Sequence, residues 1–419
     1  MLPQPLTQVD FYKVPHYRMY PSGMTSLYNN CTPRKSRIPS TNKIVFFGLQ
    51  YAILKYIIEG WNKGFFELPF EDVKASYSRL VSCTLGPKAI TYEHLEQLHD
   101  QGYMPLEIKA LPEGSLVPVR VPMFTIRETE DHAAWLVNYL ETIISCTTWQ
   151  PCTSATLAHE FKKELIQGAY ETADDLDFVM WQGHDFSMRG MSSFESACTS
   201  GAGHLLSFTG TDTFPAITFL EEYYGADVTK ELVGGSVPAT EHSVMCMGTK
   251  EGELETFERL LDLYPEGIIS IVSDTWSMPH VLTVILPALK EKIMARNGKL
   301  VIRPDSFWTD PVDCLCGYDG FHPQMAKLNP AEMHTIRLGL IETLGELFGT
   351  TLNSKGYKVL DPHIGAIYGD AITKDRAADT TKRLKEKGYA STNVVYGIGS
   401  YTYQMNTRDT FGLIASPIK

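Results

Sequence analysis

The chain has 419 residues, with 37 Lys and Arg against 49 Asp and Glu, a formal net charge of −12. At roughly 100–200 residues per domain, that length asks for two or three domains, or one large barrel with an appended domain. A hydrophobic share of 43% and a charged share of 21% exclude a disordered or fibrous chain, and the acidic balance excludes coating of nucleic acid through bulk positive charge.

The first five residues, Met1-Leu2-Pro3-Gln4-Pro5, carry no basic stretch followed by an apolar one. No run approaches the roughly 20 apolar residues that cross a bilayer. Eight cysteines are scattered, and Cys314-Leu315-Cys316 is their only close pair. Reduced thiols in a cytoplasmic protein without membrane contact are therefore expected. The N-terminal part is rich in Tyr, Pro and Thr, with short strand-like runs such as Lys43-Ile44-Val45-Phe46-Phe47 and prolines punctuating residues 105–122. This predicts an α+β domain with an antiparallel sheet over residues 1–150, completed by residues 401–419. A helix is predicted over 130–145, with a change of texture near residue 150.

Residues 151–400 alternate strand and helix signals. Strands are predicted at Phe178–Trp181, His204–Phe208, Ile268–Val272, Lys299–Ile302, Ile364–Tyr368 and Asn393–Tyr396. Helices are predicted near 192–201, 214–224, 250–264, 277–295, 330–348 and 374–388. Ser192-Ser193-Phe194-Glu195 fits a capping box, and Asn329-Pro330-Ala331-Glu332 places a cap, an N1 proline and an N3 glutamate. Repeated βα units with β-branched strands imply a parallel sheet covered by helices, and an irregular (β/α) barrel is favoured over an open doubly wound sheet.

Polar residues collect immediately after each predicted strand: His184-Asp185-Phe186-Ser187-Met188-Arg189, Thr211-Asp212-Thr213, Ser273-Asp274, Arg303-Pro304-Asp305-Ser306, Gly369-Asp370 and Gly397-Ile398-Gly399-Ser400. A further loop carries Ser236 to Ser243. Any single Asp or Gly there is explained as a turn former or a helix cap, but the whole set suits the catalytic face of a barrel. Arg189 and Arg303 suit bidentate recognition of carboxamide, carboxylate or phosphate. Gly369, Gly397 and Gly399 would let backbone N–H groups approach a phosphate. Asp274, Asp305 and Asp370 suit sugar hydroxyls or a developing positive charge. Metal hydrolysis is less well supported, because no His-x-His or Asp-x-Asp ligand spacing accompanies these residues, and a serine hydrolase lacks its Gly-x-Ser-x-Gly elbow.

The chain resembles the nicotinamide phosphoribosyltransferases, which are type II phosphoribosyltransferases. The resemblance is carried by Val9-Asp10-Phe11-Tyr12-Lys13-Val14-Pro15-His16-Tyr17, Phe47-Gly48-Leu49-Gln50-Tyr51, the His184–Gly190 loop, Gly210-Thr211-Asp212-Thr213 and Ser236–Ser243. It continues through Ile302–Ser306, Asn353–Lys358 and Thr407-Arg408-Asp409. It implies transfer of phosphoribosyl from 5-phosphoribosyl-1-pyrophosphate to nicotinamide, giving nicotinamide mononucleotide and pyrophosphate in NAD salvage.

By the same resemblance, Phe186 stacks on the pyridine ring, with Tyr12 of a second subunit on its other face. Asp212 accepts from the carboxamide NH2, Arg189 fixes the amide, and Ser236 joins the site. Arg303, Asp305, Gly369 and Asp370 hold ribose and phosphate. Gly399, Ser400 and Arg408 form a phosphate site, with Asp10 and Arg34 contributed across a homodimer. Asp274 and Asp305 are placed nearest the reacting carbon, Mg²⁺ is held mainly by substrate oxygens, and His242 is the residue phosphorylated by ATP. Nicotinate phosphoribosyltransferase, or a binding-only relative of weakened activity, is the competing reading. Asp212 separates the two bases, because a carboxylate facing nicotinate meets like charge. Three departures stand out: Ser400 where many members have Gly, the longer Phe307–Pro311 loop, and an end at Lys419 where family members usually continue to complete the sheet domain.

Overall fold

In the first part of the chain, apolar residues at every second position make strands of short runs. These are β1 (Tyr28–Pro33), β2 (Lys43–Val45), β3 (Leu106–Ala110), β4 (Leu116–Pro118) and β5 (Phe124–Glu128). Strand β5 buries Phe124, Ile126 and Glu128 and turns Thr125 and Arg127 outward, the period-two pattern of a half-buried strand. An antiparallel sheet runs in the order Leu413–Pro417, β1, β5, β3, and β2 pairs with β4. Helices Phe70–Thr84 and Glu93–Gln101 accompany it. Phe46, Trp61, Phe65 and Phe124 are almost fully buried in its core. Each such phenylalanine contributes about 1.5–3 kcal/mol through burial.

This computed structural model describes residues 4–405 and 413–417 and divides the chain into two units. One holds residues up to 156, residues 218–226 and the C-terminal strand. The other holds residues 157–217 and 227–405.

The second unit is built on parallel strands: β6 (Gly183–Asp185), β7 (Gly210–Thr211), β8 (Glu266–Val272), β9 (Asn297–Arg303), β12 (Ile364–Tyr368) and β13 (Val394–Ile398). Between β9 and β12 lies a hairpin of β10 (Thr350–Leu352) and β11 (Lys358–Leu360). The parallel order is β7-β6-β13-β12-β9-β8. The two edges are bridged by the extended segment 235–239, with Gly235 opposite Gly210 and Ala239 opposite Ser270. The result is the expected irregular barrel, curled from a parallel sheet. All five residues of β12 are buried, as a strand covered on both faces requires.

Four of the predicted strands coincide with β8, β9, β12 and β13. Two do not. Val179–Gln182 is a helical turn, and the strand is the following Gly183–Asp185. His204 and Leu205 end helix Phe194–Leu205, and the strand is Gly210–Thr211. Strands of two or three residues are too short for periodicity to separate from buried helix. The helix cap also moves by one residue, to Ser193 with Ser196 as its reciprocal partner, whereas Asn329 and Glu332 form the expected box. The helix expected to end near 145 instead runs as Glu141–Thr172 through Pro151. The ring of Pro151 rests where a Cβ on Gly48 would stand, so the proline is accommodated by packing. Among the described residues, no helix is long and apolar enough to cross a membrane. No disulfide joins any of the eight cysteines.

Candidate active site

A cavity of about 700 Å³ runs along the inside of the barrel. Its lining includes Ile268, Lys299 and Ile364 towards the starts of β8, β9 and β12, and His184, Phe186, Asp212, Ser236 and Arg303 towards the strand C-termini. Strand alternation places His184 and Phe186 on one side of the chain with the buried Asp185 on the other.

The Phe186 ring is seated by two glycines. A Cβ on Gly397 would fall inside its van der Waals surface, and one on Gly369 would stand 3.2 Å from Cε2 and crowd Asp305 Oδ1 as well. Gly369 and Gly397 therefore make room for Phe186, whereas a Cβ at Gly399 would meet open space. The Arg303 guanidinium carbon lies 5.7 Å from the centre of the same ring, and the His184 ring 5.1 Å away.

Asp212 follows β7 and accepts two hydrogen bonds on Oδ1, from His184 Nε2 at 2.8 Å and Ser236 Oγ at 2.6 Å. Burial pushes this carboxyl upward, but the bonds from His184 and Ser236 and the charge of Arg303 outweigh it, and the group stays below its ordinary value.

A second polar centre lies beyond β8 and β9. Asp274, with 5% of its side chain exposed, accepts from His242 Nε2 at 3.1 Å through Oδ1. Its Oδ2 accepts from Asp305 N at 2.9 Å, Ser306 N at 2.6 Å and Ser306 Oγ at 2.8 Å. Asp274 thus ties the start of helix His242–Met247 to the loop after β9. Asp305 is different. Its Oδ1 is buried without a hydrogen-bond partner, and Arg303 stands 3.6 Å from Oδ2. Burial raises its pKa, Arg303 opposes this, and Asp274 and Asp370 add to it.

Arg189 does not line the cavity. Its side chain is 91% exposed and stands 3.7 Å from Glu241, the neighbour of His242. Ser400 packs where a Cβ on Gly190 would stand, which is how the barrel accepts a side chain at that position. Asp370 is exposed at the end of β12, followed by Ala371 at φ 52°, an uncommon conformation for a residue with a Cβ. In the N-terminal unit, Asp10 Oδ2 accepts from Thr142 Oγ1 at 2.7 Å, Tyr12 is 62% exposed, and Arg34 is exposed after β1. Beside them a buried Lys13–Glu141 ion pair anchors the segment. Arg408 lies outside the described residues. His184 was not singled out from the sequence; its place two residues before Phe186 on a strand is the signal that finds it.

Comparison with known proteins adds a second line of evidence. The family described as "Nicotinate phosphoribosyltransferase (NAPRTase) family" matches residues 181–418, and "Nicotinamide phosphoribosyltransferase, N-terminal domain" matches residues 5–63. A nicotinamide phosphoribosyltransferase of Acinetobacter baylyi is 49% identical, across 97% of this chain and 80% of its own. Another, from Mycoplasma pneumoniae, is 34% identical across 98% and 88%. Among solved structures, human nicotinic acid phosphoribosyltransferase superposes with a TM-score of 0.53 at 15% identity, covering 93% of this chain and 72% of that one. Pyrococcus furiosus nicotinate-nucleotide pyrophosphorylase gives 0.54 at 12%, covering 96% and 73%. At such identities the two structures speak for the fold alone. With a family match over more than half its length and close relatives over nearly all of it, the chain belongs to the nicotinate phosphoribosyltransferase family.

Proposed function

We propose that the protein is an enzyme that transfers phosphoribosyl from 5-phosphoribosyl-1-pyrophosphate to nicotinamide. The observation that carries this reading is Asp212, held as a carboxylate by His184 and Ser236 at the mouth of the barrel cavity. An ionised acceptor there pairs with a carboxamide NH2 and repels the carboxylate of nicotinate. The relatives that share nearly the whole chain carry the same activity in their names.

In the reaction, the bond from the ribose C1 to pyrophosphate breaks, and its electron pair leaves on pyrophosphate. The lone pair of the pyridine nitrogen then forms the C1–N bond, and no proton is lost. Phe186 positions the ring. Arg303, Asp305, Gly369 and Asp370 hold the ribose and its phosphate, and Asp305 faces the cationic C1. Positioning and electrostatics supply the catalysis, without a covalent enzyme nucleophile. Arg189, exposed beside Glu241, reaches the amide only by turning inward. Gly399, Ser400 and Arg408 are assigned to phosphate. Asp10, Tyr12 and Arg34 are assigned to the site of a second copy in a homodimer.

The donor set also fits Mg²⁺. The orphaned Asp305 Oδ1, with Asp274 and Asp370 contributing negative charge nearby, suits an ion held mainly by substrate oxygens. When bound, such an ion neutralises the pyrophosphate leaving group. Eight free cysteines fit a cytoplasmic setting. His242, half exposed and oriented by Asp274, is assigned to phosphorylation by ATP. The test measures mononucleotide and pyrophosphate from nicotinamide, donor and Mg²⁺, with and without ATP. Wild type is expected to form nicotinamide mononucleotide and to be stimulated by ATP, and His242→Ala to lose the stimulation while slow synthesis persists. No product overturns the activity, and undiminished stimulation in the variant overturns the role of His242.

A further inference from the structure

The imidazole of His184 is held on three sides. Nε2 meets Asp212 Oδ1 at 2.8 Å, the Phe186 ring stands across it at 62°, and only 12% of the side chain is exposed. On the third side, a Cβ on Gly210 would come within 2.6 Å of Nδ1 and 3.2 Å of Cγ, so the ring fits only because residue 210 is glycine. A carboxylate accepts and does not donate, which assigns the Nε2 proton to the bond with Asp212. Since Ser236 Oγ also donates to Oδ1, both hydrogen bonds fall on one oxygen. Oδ2 is left as the acceptor for a ligand.

We propose that His184 is a positioning residue that determines which pyridine base is used. It holds the Asp212 carboxylate turned with Oδ2 towards the substituent of the ring, so the site takes an amide and refuses a carboxylate. The inference rests on the nicotinamide reading of the site. His184 acts through Asp212 and takes no part in breaking the C1–O bond, so its removal is felt in the binding of the base. The bond from His184 is the leading influence opposing the upward push of burial on Asp212. Without it, the carboxyl loses that hydrogen bond and is free to rotate, and discrimination against nicotinate falls with affinity for nicotinamide.

The experiment is steady-state kinetics with each base for wild type, His184→Ala, His184→Asn and His184→Gln, together with the KM for the phosphoribosyl donor. Removing a hydrogen bond to a charged group predicts a loss of about 10- to 100-fold in nicotinamide kcat/KM for His184→Ala, mostly in KM. The preference for nicotinamide over nicotinate falls at least about tenfold, and the donor KM is unchanged. His184→Asn, too short to reach Asp212, behaves alike and serves if the alanine variant fails to fold. His184→Gln reaches Asp212 with an amide N–H and recovers to within about threefold of wild type. The proposal is overturned if His184→Ala or His184→Asn keeps the nicotinamide KM and the preference, or if His184→Gln is as impaired as His184→Ala. A wild type that makes no mononucleotide from nicotinamide overturns the functional reading, and this inference with it.

Discussion

The carboxyls of Asp212 and Asp305 both feel the upward push of burial, yet their neighbours drive them apart. For Asp212, hydrogen bonds from His184 and Ser236 outweigh burial, so the group is a ready anion. For Asp305, burial prevails over Arg303, and its Oδ1 is buried without a hydrogen-bond partner. Glu253, outside the site, shows burial with little compensation. It is 2% exposed, neither carboxyl oxygen has a hydrogen-bond partner, and burial against a weaker pull from Lys250 raises its pKa to about 7. The folded value lies above the ordinary 4.5, so the folded state binds more protons between those values. Stability therefore falls as pH rises through that window. Glu253→Gln is expected to match wild type near pH 4.5 in urea unfolding and to be more stable by about 1–3 kcal/mol at pH 8. Equal stability at both pH values would contradict this account of Glu253.

At the scale of the elements, the ends of β12 and β13 form a floor beneath Phe186, because Gly369 and Gly397 leave room for its ring. Gly397→Ala displaces that ring at an overpacking cost of about 1–3 kcal/mol and is expected to raise the nicotinamide KM about tenfold. Steady-state kinetics checks it; an unchanged KM would mean that the ring does not position the base. Strands β8, β9, β12 and β13 were legible in the sequence because each carries a run of mostly apolar, β-rich residues. The two- and three-residue strands β7 and β6 were not, since apolar helical turns stand beside them. The helix predicted over 130–145 instead continues as Glu141–Thr172, passing through Pro151 on tertiary packing. The site was legible where polar residues follow strands, as at Asp212, Asp274 and Arg303. What depends on contacts distant in sequence was hidden: the seating of Phe186, the wedge that holds His184, and the capture of Asp274 by the loop after β9.

For the whole molecule, a net charge of −12 accompanies a reaction whose donor is itself strongly anionic. Bulk attraction therefore contributes nothing, and on the proposed reading binding falls to local groups such as Arg303, 8% exposed behind the strand ends. The irregular barrel brings together residues from positions 184 to 370, which no single segment supplies. The central claim is that this arrangement uses nicotinamide and refuses nicotinate. The most direct measurement is a competition: wild-type protein with 5-phosphoribosyl-1-pyrophosphate, Mg²⁺, ATP and equimolar nicotinamide and nicotinate, with the two mononucleotides separated and quantified. Nicotinamide mononucleotide is expected to exceed nicotinate mononucleotide by about 100-fold or more, as a like-charge clash of several kcal/mol requires. Equal amounts, or an excess of nicotinate mononucleotide, would contradict it.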